Sequence, residues 1–255
     1  MSELTKKGKP LTVYLPDTRG VEISRFGRGN LKIGMNVFTY SRLPGDPNRL
    51  ALGSGEYDGW RGTCPGATEE CQRICYAARP VTENGAVAKM WWLNSITNSV
   101  PDLPEQCKLL RIHVSGDFDT LDYIASWYNR LKERPDVTAW AYTRSWRVPS
   151  LLTALEALRT LPSLQLFASM DKSHTDMPPV GWRRAWIDGD PRAGVVYRIP
   201  AHSAGALEIP SFYLDRTADE RKALVCPEET KHVRDCEECG FCFKGQRNDV
   251  VFLEH

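Results

Sequence analysis

The sequence lacks long apolar runs and any strong excess of charge. No apolar stretch approaches the roughly 20 residues that a membrane-spanning helix needs, so no membrane association is expected. The first residues, Met-Ser-Glu-Leu-Thr-Lys-Lys, contain no apolar core of the signal-peptide kind. The net charge is only +1, so no overall field favours nucleic acid. We therefore expect a cytoplasmic protein, whose thiols are kept reduced.

Several sequence motifs that define enzyme classes are also missing. The chain contains no Gly-x-Gly-x-x-Gly fingerprint, phosphate-binding loop, His-Glu-x-x-His pair or nucleophile elbow. It has no internal repeat and no low-complexity segment. Nucleotide-binding folds, zinc proteases and serine hydrolases that carry these motifs are therefore not indicated.

Cysteine is the residue type whose distribution is informative. Seven of the eight cysteines fall into two groups, with spacings C-x6-C-x3-C and C-x9-C-x2-C-x2-C. The first group comprises Cys64, Cys71 and Cys75, and the second comprises Cys226, Cys236, Cys239 and Cys242. In a reducing compartment such grouping favours metal ligation over disulfides. The alternative is a secreted protein with three disulfides.

The number of thiols in each group indicates the kind of metal site. Three cysteines with no histidine nearby suit an iron–sulfur cluster with one open iron, and four can hold a 4Fe–4S cluster or a tetrahedral zinc ion. Zinc remains the alternative, although structural zinc generally uses two separated C-x2-C pairs. Because Cys226 could instead complete the first cluster, one cluster or two remain open. Cys107 is predicted to be a small buried hydrophobic residue.

Strands and helices alternate along the chain. The apolar patterns predict strands at 31–40, 109–114, 137–142, 164–169, 194–199 and 223–226. They predict helices at 86–99, at 121–131 with Asp119 as its cap, and at 150–161. This alternation indicates a parallel α/β sheet, either doubly wound or a partial TIM-barrel-like (β/α)6 core.

Four segments are predicted. Residues 1–30 form a basic N-terminal arm, 31–225 the α/β barrel-like core with the first cysteine group, and 226–252 a cysteine-rich metal-binding extension. Residues 253–255 resemble an affinity-tag remnant and are left out of any site.

Polar residues follow several predicted strands at their carboxyl ends, where parallel α/β folds bind ligands. Asp117, Arg144 and Asp171 are the candidate catalytic residues, and Arg198 and His202 also follow strands. The alternative is that each is a helix cap, an ion-pair partner or a turn residue.

In arrangement the chain resembles the radical S-adenosylmethionine enzymes, which have a three-cysteine loop after the first barrel strand and a Gly-Gly-Glu-like motif ending the second. Val114-Ser-Gly-Asp117 stands where that motif would. The resemblance implies that Ser115 and Gly116 pass close to the methionine moiety of S-adenosylmethionine and that Asp117 lies near its amino group. The cysteine spacing differs, since that family has C-x3-C-x2-C.

The chain is more closely similar to the bacteriophage "gene product 88" family. The shared motifs are Cys64-Pro-Gly-Ala-Thr, Cys75-Tyr-Ala, Ser115-Gly-Asp-Phe118, Tyr142-Thr-Arg-Ser-Trp146 and the tail Cys226-Pro…Cys236-x2-Cys239-Gly-x-Cys242. The similarity spans roughly residues 30–245. It implies a phage or prophage origin, and hence the host cytoplasm, but it supplies no reaction.

Two functions of different classes follow. The first is an iron–sulfur protein whose three-cysteine cluster transfers an electron to S-adenosylmethionine or another small molecule. The second is a nucleic-acid-binding or processing protein with a structural metal, in which tryptophans stack on bases beside arginines. The residues concerned are Trp140, Trp146, Trp182, Trp186, Arg144, Arg147, Arg183 and Arg184. A phage factor that binds a host protein is a third possibility.

Overall fold

A computed structural model describes residues 25–52, 61–199, 223–244 and 248–253. The predicted basic arm, apart from residues 25–30, and His202 lie outside the described residues. The described strands form one nine-stranded sheet in the order β1-β2-β3-β4-β5-β6-β9-β8-β7. Only the β1–β2 pair is antiparallel. The strands are β1 Gly27–Arg28, β2 Phe38–Tyr40, β3 Leu109–Ile112, β4 Thr138–Thr143, β5 Leu164–Ser169, β6 Arg183–Ile187, β7 Val196–Tyr197, β8 Ala223–Val225 and β9 Asp249–Phe252.

Six α-helices belong to the described part of the chain. They are α1 Glu69–Arg73, α2 Ala78–Glu83, α3 Gly85–Ser95, α4 Leu121–Glu133, α5 Pro149–Arg159 and α6 Cys236–Cys239. None of the described helices is long and apolar enough to cross a bilayer.

The two faces of the sheet are covered by different parts of the chain. Side chains of alternate strand residues point to opposite faces, so Leu110 and Ala139 pack with helices α4 and α5. On the opposite face Phe167 and Leu224 belong to a second apolar cluster with Phe241 of the cysteine-rich segment. We call this second side the cysteine face.

Helix α4 shows how the local sequence sets a helix and its buried side. The hydroxyl of Thr120 accepts a hydrogen bond from the Tyr123 amide at 3.2 Å and caps the helix. The prediction of Asp119 as the cap was wrong, because its carboxylate pairs with the buried Arg42 instead. The buried face comprises Tyr123, Ile124, Trp127 and Leu131, whereas Leu121 at the start of the helix is exposed.

The parallel α/β class predicted from the sequence is confirmed, with differences in strand number and length. The sheet has nine strands among the described residues instead of about six, and its outer strands β1 and β7 do not close it into a barrel. Strands β1, β6 and β9 were not predicted. The strand predicted at 31–40 is formed only over Phe38–Tyr40, and that at 194–199 only over Val196–Tyr197.

The cysteine-rich segment is continuous with the sheet. Strand β8 ends immediately before Cys226, and β9 follows the last cysteine and lies between β6 and β8. The Cys226 amide donates a hydrogen bond to the Val251 carbonyl at 2.8 Å. The segment that carries the second cysteine group is therefore anchored at both ends.

Candidate metal centres

The first cysteine group surrounds the short helix α1. Cys64 precedes the helix, Cys71 lies in it and Cys75 follows it. Thr68 caps the helix by accepting a hydrogen bond from the Cys71 amide at 3.0 Å, and the Cys64 amide donates to the Gly45 carbonyl at 2.8 Å. These bonds fix the backbone that presents the thiols.

The three thiols of this group lie close enough to interact electrostatically. Burial raises the pKa of Cys64 well above its usual value, and negative charge on Asp117, Cys71 and Cys75 raises it further. Burial also raises the pKa of Cys71, although a hydrogen bond and the positive charge of Arg144 oppose this effect. Since a metal ligates the thiolate form, binding a cation here would offset the penalty of ionising these thiols.

The three predicted catalytic residues lie beside this group. Arg144 Nη1 donates to Asp171 Oδ2 at 2.5 Å, and Thr68 Oγ1 donates to the same oxygen at 2.8 Å. Burial would raise the pKa of Asp171, but hydrogen bonds from Ser173 and the charge of Arg144 outweigh it and lower the pKa. Asp171 therefore connects the end of β5 to the turn after β4 through a largely buried ion pair with Arg144, and to the cap of the cysteine helix through the Thr68 hydrogen bond.

Asp117 occupies a different position, inside the protein. Its carboxylate accepts hydrogen bonds from Thr143 Oγ1 at 2.5 Å, the Phe118 amide at 2.7 Å and the Arg144 amide at 2.7 Å. Burial raises its pKa to about 6, against the opposing effect of these bonds. Asp117 thus ties the turn after β3 to the turn after β4 and fixes the backbone of Arg144.

Ser115 and Gly116 pack against the long loop that precedes the first cysteine. Ser115 Oγ donates to the Arg42 carbonyl at 2.8 Å. Gly116 has φ +78°, and a Cβ there would lie 2.6 Å from Thr63 Oγ1 and 2.7 Å from Arg42 Cβ. A glycine is required because only it accommodates both the positive φ and this close approach. Cofactor binding by these two residues remains a prediction.

The second cysteine group lies on the cysteine face. Asp235 caps the short helix α6 by accepting from the Glu238 amide at 2.8 Å, and the Cys236 amide donates to the Lys32 carbonyl at 2.9 Å. Burial, together with negative charge on Cys242, raises the pKa of both Cys236 and Cys239 to about 12.

Cys226 belongs with this second group. Burial raises the pKa of Cys226 strongly, and negative charge on Cys242 and Cys236 adds to the rise. Cys226 and Cys239 also belong to one apolar cluster, and Cys242 packs against it. The structure thus places three thiols in the first group and four in the second. Cys107 is fully buried apart from both, as predicted, with its thiol 3.8 Å from the Leu109 carbonyl.

Cationic and phenolic side chains of the sheet surround the second group. Tyr142 Oη donates to Cys242 Sγ at 2.9 Å. The Arg111 guanidinium lies over the Tyr142 ring, 4.0 Å from its centroid. Arg183 is buried and donates to the carbonyls of Cys242 and Phe241 at 3.2 and 3.4 Å. Arg111 was not predicted as a site residue, although a charged residue within an apolar strand could have indicated it.

The described residues contain no group of three or more histidine, cysteine, aspartate or glutamate side chains arranged to hold a metal ion. A single zinc ion requires its sulfur ligands about 2.3 Å from a common centre. In a four-iron cluster each thiolate bonds a different iron, so the sulfurs stand further apart.

The tryptophans predicted to stack on bases are core residues. Trp140, Trp146, Trp182 and Trp186 are all buried, with at most 4% of their surface exposed. No aromatic stacking surface is formed at these positions. Arg198 is exposed and pairs with Asp188 at 2.5 Å, away from the cysteine helix contacts described above.

The fold and the two cysteine groups define a largely parallel α/β protein with cysteine sites built onto its sheet. The "Gene product 88" family model matches residues 42–245, and the chain belongs to this family. It is 29% identical over 235 residues to the Gene 88 protein of Mycobacterium phage L5, covering 82% of this chain and 87% of that protein. The Gene 88 protein of Mycobacterium phage D29 is 27% identical over 236 residues, with the same coverage. No solved structure matches.

Proposed function

We propose that this phage-family protein binds iron–sulfur clusters at two sites. Cys64, Cys71 and Cys75 would hold one cluster, and the four cysteines 226, 236, 239 and 242 a second. The observation that supports this most directly is the separation of seven cysteines into the same two groups in space as in sequence, with electrostatic interaction inside each group.

The burial of the thiols agrees with metal ligation. Free thiols in these positions would stay protonated, because burial raises the pKa of every one of the seven. A bound metal replaces the proton and stabilises the thiolate.

An enzymatic version of the proposal places a small molecule at the first site. Strands β2 to β6 are parallel and lie side by side in chain order. Because the strands of a (β/α) barrel follow the same order, this supports the partial-barrel description. A three-thiolate cluster leaves one iron open to a ligand. Arg144 forms a hydrogen bond with Cys71 and would bind an anionic part of the ligand. Asp171 and Asp117 would position Arg144. S-adenosylmethionine is the ligand that the radical S-adenosylmethionine resemblance suggests.

Metal analysis of protein purified without oxygen tests the cluster proposal. We expect a brown protein that contains iron and acid-labile sulfide. The Cys64→Ala, Cys71→Ala, Cys75→Ala triple variant should lose the first cluster and keep the second. Cys239→Ala should show the reverse, and Cys107→Ala is the matched control that should keep both. A colourless protein with stoichiometric zinc and no sulfide would refute the proposal.

The ligand proposal has a separate test. Adding S-adenosylmethionine to the reduced protein should change the electron paramagnetic resonance spectrum of the first cluster, because the ligand would bind its open iron. Arg144→Met should weaken this change while leaving the iron content intact. An unchanged spectrum at saturating ligand in protein that holds both clusters would exclude S-adenosylmethionine and leave the cluster assignment standing.

A further inference from the structure

Arg111 is a cation without a carboxylate partner on the cysteine face. It lies in β3 among apolar residues and is half-buried. Within the described ranges it forms no ion pair, and its buried Nε has no hydrogen-bond partner. Its Nη2 reaches only the His113 carbonyl, at 3.4 Å. A guanidinium that is partly removed from water and left without a counter-ion is costly.

The groups that the Arg111 charge can stabilise are the thiols of the second site. Arg111 lies on the cysteine face, since its strand neighbours Leu110 and Ile112 belong to the apolar cluster on the opposite face. Lys32, another cation of this region, is paired with Glu229 at 2.9 Å and Glu228 at 3.5 Å. Arg111 is therefore one cation near the thiols that no described carboxylate neutralises. Arg183, a second cation near Cys242, donates to the carbonyls of Phe241 and Cys242.

Tyr142 connects Arg111 to the cysteines. Its ring lies under the guanidinium at 4.0 Å, and its hydroxyl donates to Cys242 Sγ at 2.9 Å. A cation over the ring face and a sulfur at the hydroxyl hold the ring from two sides. The hydrogen bond is thus aimed at a sulfur that would ligate a metal.

We propose that Arg111 and Tyr142 form a pair that stabilises the negative charge of the four-thiolate cluster and raises its reduction potential. The inference rests on the cluster-binding function proposed above. Reduction adds one electron to a centre that is already anionic, so a nearby cation and a hydrogen bond to sulfur stabilise the reduced form more than the oxidised form. The four cysteines bind the cluster, and the pair sets how readily it accepts an electron.

The test is a redox titration of the whole protein, followed by electron paramagnetic resonance. The signal of interest is the one that disappears in Cys239→Ala. Arg111→Met and Tyr142→Phe should each keep the iron and sulfide of this site. Each should disfavour reduction about tenfold, which for one electron is a fall of about 59 mV. Arg111→Lys should recover most of the loss, since it keeps the charge. Tyr128→Phe, on the helix-covered side, should change nothing.

The possible outcomes separate the two proposals. Absence of iron and sulfide from the wild-type protein overturns both. Full iron content with an unchanged potential in Arg111→Met and Tyr142→Phe overturns the inference alone. Loss of this cluster in Arg111→Met but not in Arg111→Lys supports charge balance. Loss in both variants overturns it, because the residue would then serve only packing.

Discussion

Gly66 offers a test of how closely the first cysteine loop must approach the sheet. A Cβ at this position would lie 2.1 Å from the Arg144 carbonyl oxygen, 2.4 Å from its carbon and 2.9 Å from the Ser145 amide nitrogen. All three atoms belong to the backbone, so no side chain can move aside. To reach the 3.4 Å at which ordinary contact begins, the loop must withdraw by about 1.3 Å from the turn after β4.

The expected loss in the free energy of unfolding of Gly66→Ala follows from this contact and from one hydrogen bond. Forcing an extra carbon into a packed site costs typically about 1–3 kcal/mol. Withdrawal would also strain the bond from Arg147 Nη1 to the Gly66 carbonyl, which is 3.3 Å long, at a further cost of about 1 kcal/mol. Gly66→Ala should therefore lower the free energy of unfolding by about 2–4 kcal/mol.

Gly85→Ala is the matched control. A Cβ at Gly85 meets no atom within 4 Å, and the residue begins helix α3. Alanine there should stabilise the protein by about 0.4–1 kcal/mol. Urea unfolding measures both variants, and iron analysis shows whether Gly66→Ala loses the first cluster as Cys64 moves away from Arg144. A Gly66→Ala protein as stable as Gly85→Ala, with full iron content, would refute the reasoning.

Two further predictions concern the buried side chains of His113 and Arg42. Burial, together with the charges of Arg42 and Arg111, holds the pKa of His113 well below its usual range, so the unfolded chain takes up a proton below about pH 6.5 that the folded protein does not. Stability should then fall as pH drops from 7 to 5, by up to about 1.4 kcal/mol per unit. His113→Asn, which tolerates the φ of 59°, should flatten this loss in urea titrations; equal losses in both proteins would contradict it. Arg42→Met removes a buried guanidinium that binds Asp119 and the Asn94 carbonyl and should cost about 3–5 kcal/mol. The exposed Arg79→Met should cost under about 0.5 kcal/mol, and similar effects of the two on thermal unfolding would show that the Arg42 contacts are not needed.

The sequence predicts the strands whose pattern reflects burial on both faces. Strand β5, Leu164–Ser169, coincides with its predicted range, and β4 is displaced by one residue. Strand β6 was missed because its sequence, Arg-Arg-Ala-Trp-Ile, begins with two arginines. Those charges are tolerated because Arg183 binds backbone carbonyls of the cysteine segment. Such a partner is distant in sequence and leaves no local signal.

The sequence predicts that certain side chains come together at the sheet edge but not what each of them contacts. The strand-end rule brings Asp117, Arg144 and Asp171 together beside the first cysteine group, as expected for parallel strands. It does not show that the Asp117 carboxylate is consumed by three internal hydrogen bonds, including one from the Arg144 amide. Nor does cysteine spacing decide which group contains Cys226. That depends on β9 lying between β6 and β8, which no periodicity encodes.

A metal bound at the second site, as proposed, would be part of the fold. Strand β9 joins β8 and β7 to the rest of the sheet, and the chain between β8 and β9 carries the four cysteines. Ligand binding by a site that does not exist in the unfolded chain adds directly to folding free energy, by amounts on the order of 10 kcal/mol for a four-ligand zinc site. The first group surrounds a five-residue helix outside the sheet, so a metal bound there would stabilise only a loop. Under the cluster proposal, loss of metal at the second site would therefore loosen the outer strands, whereas loss at the first would leave the sheet intact.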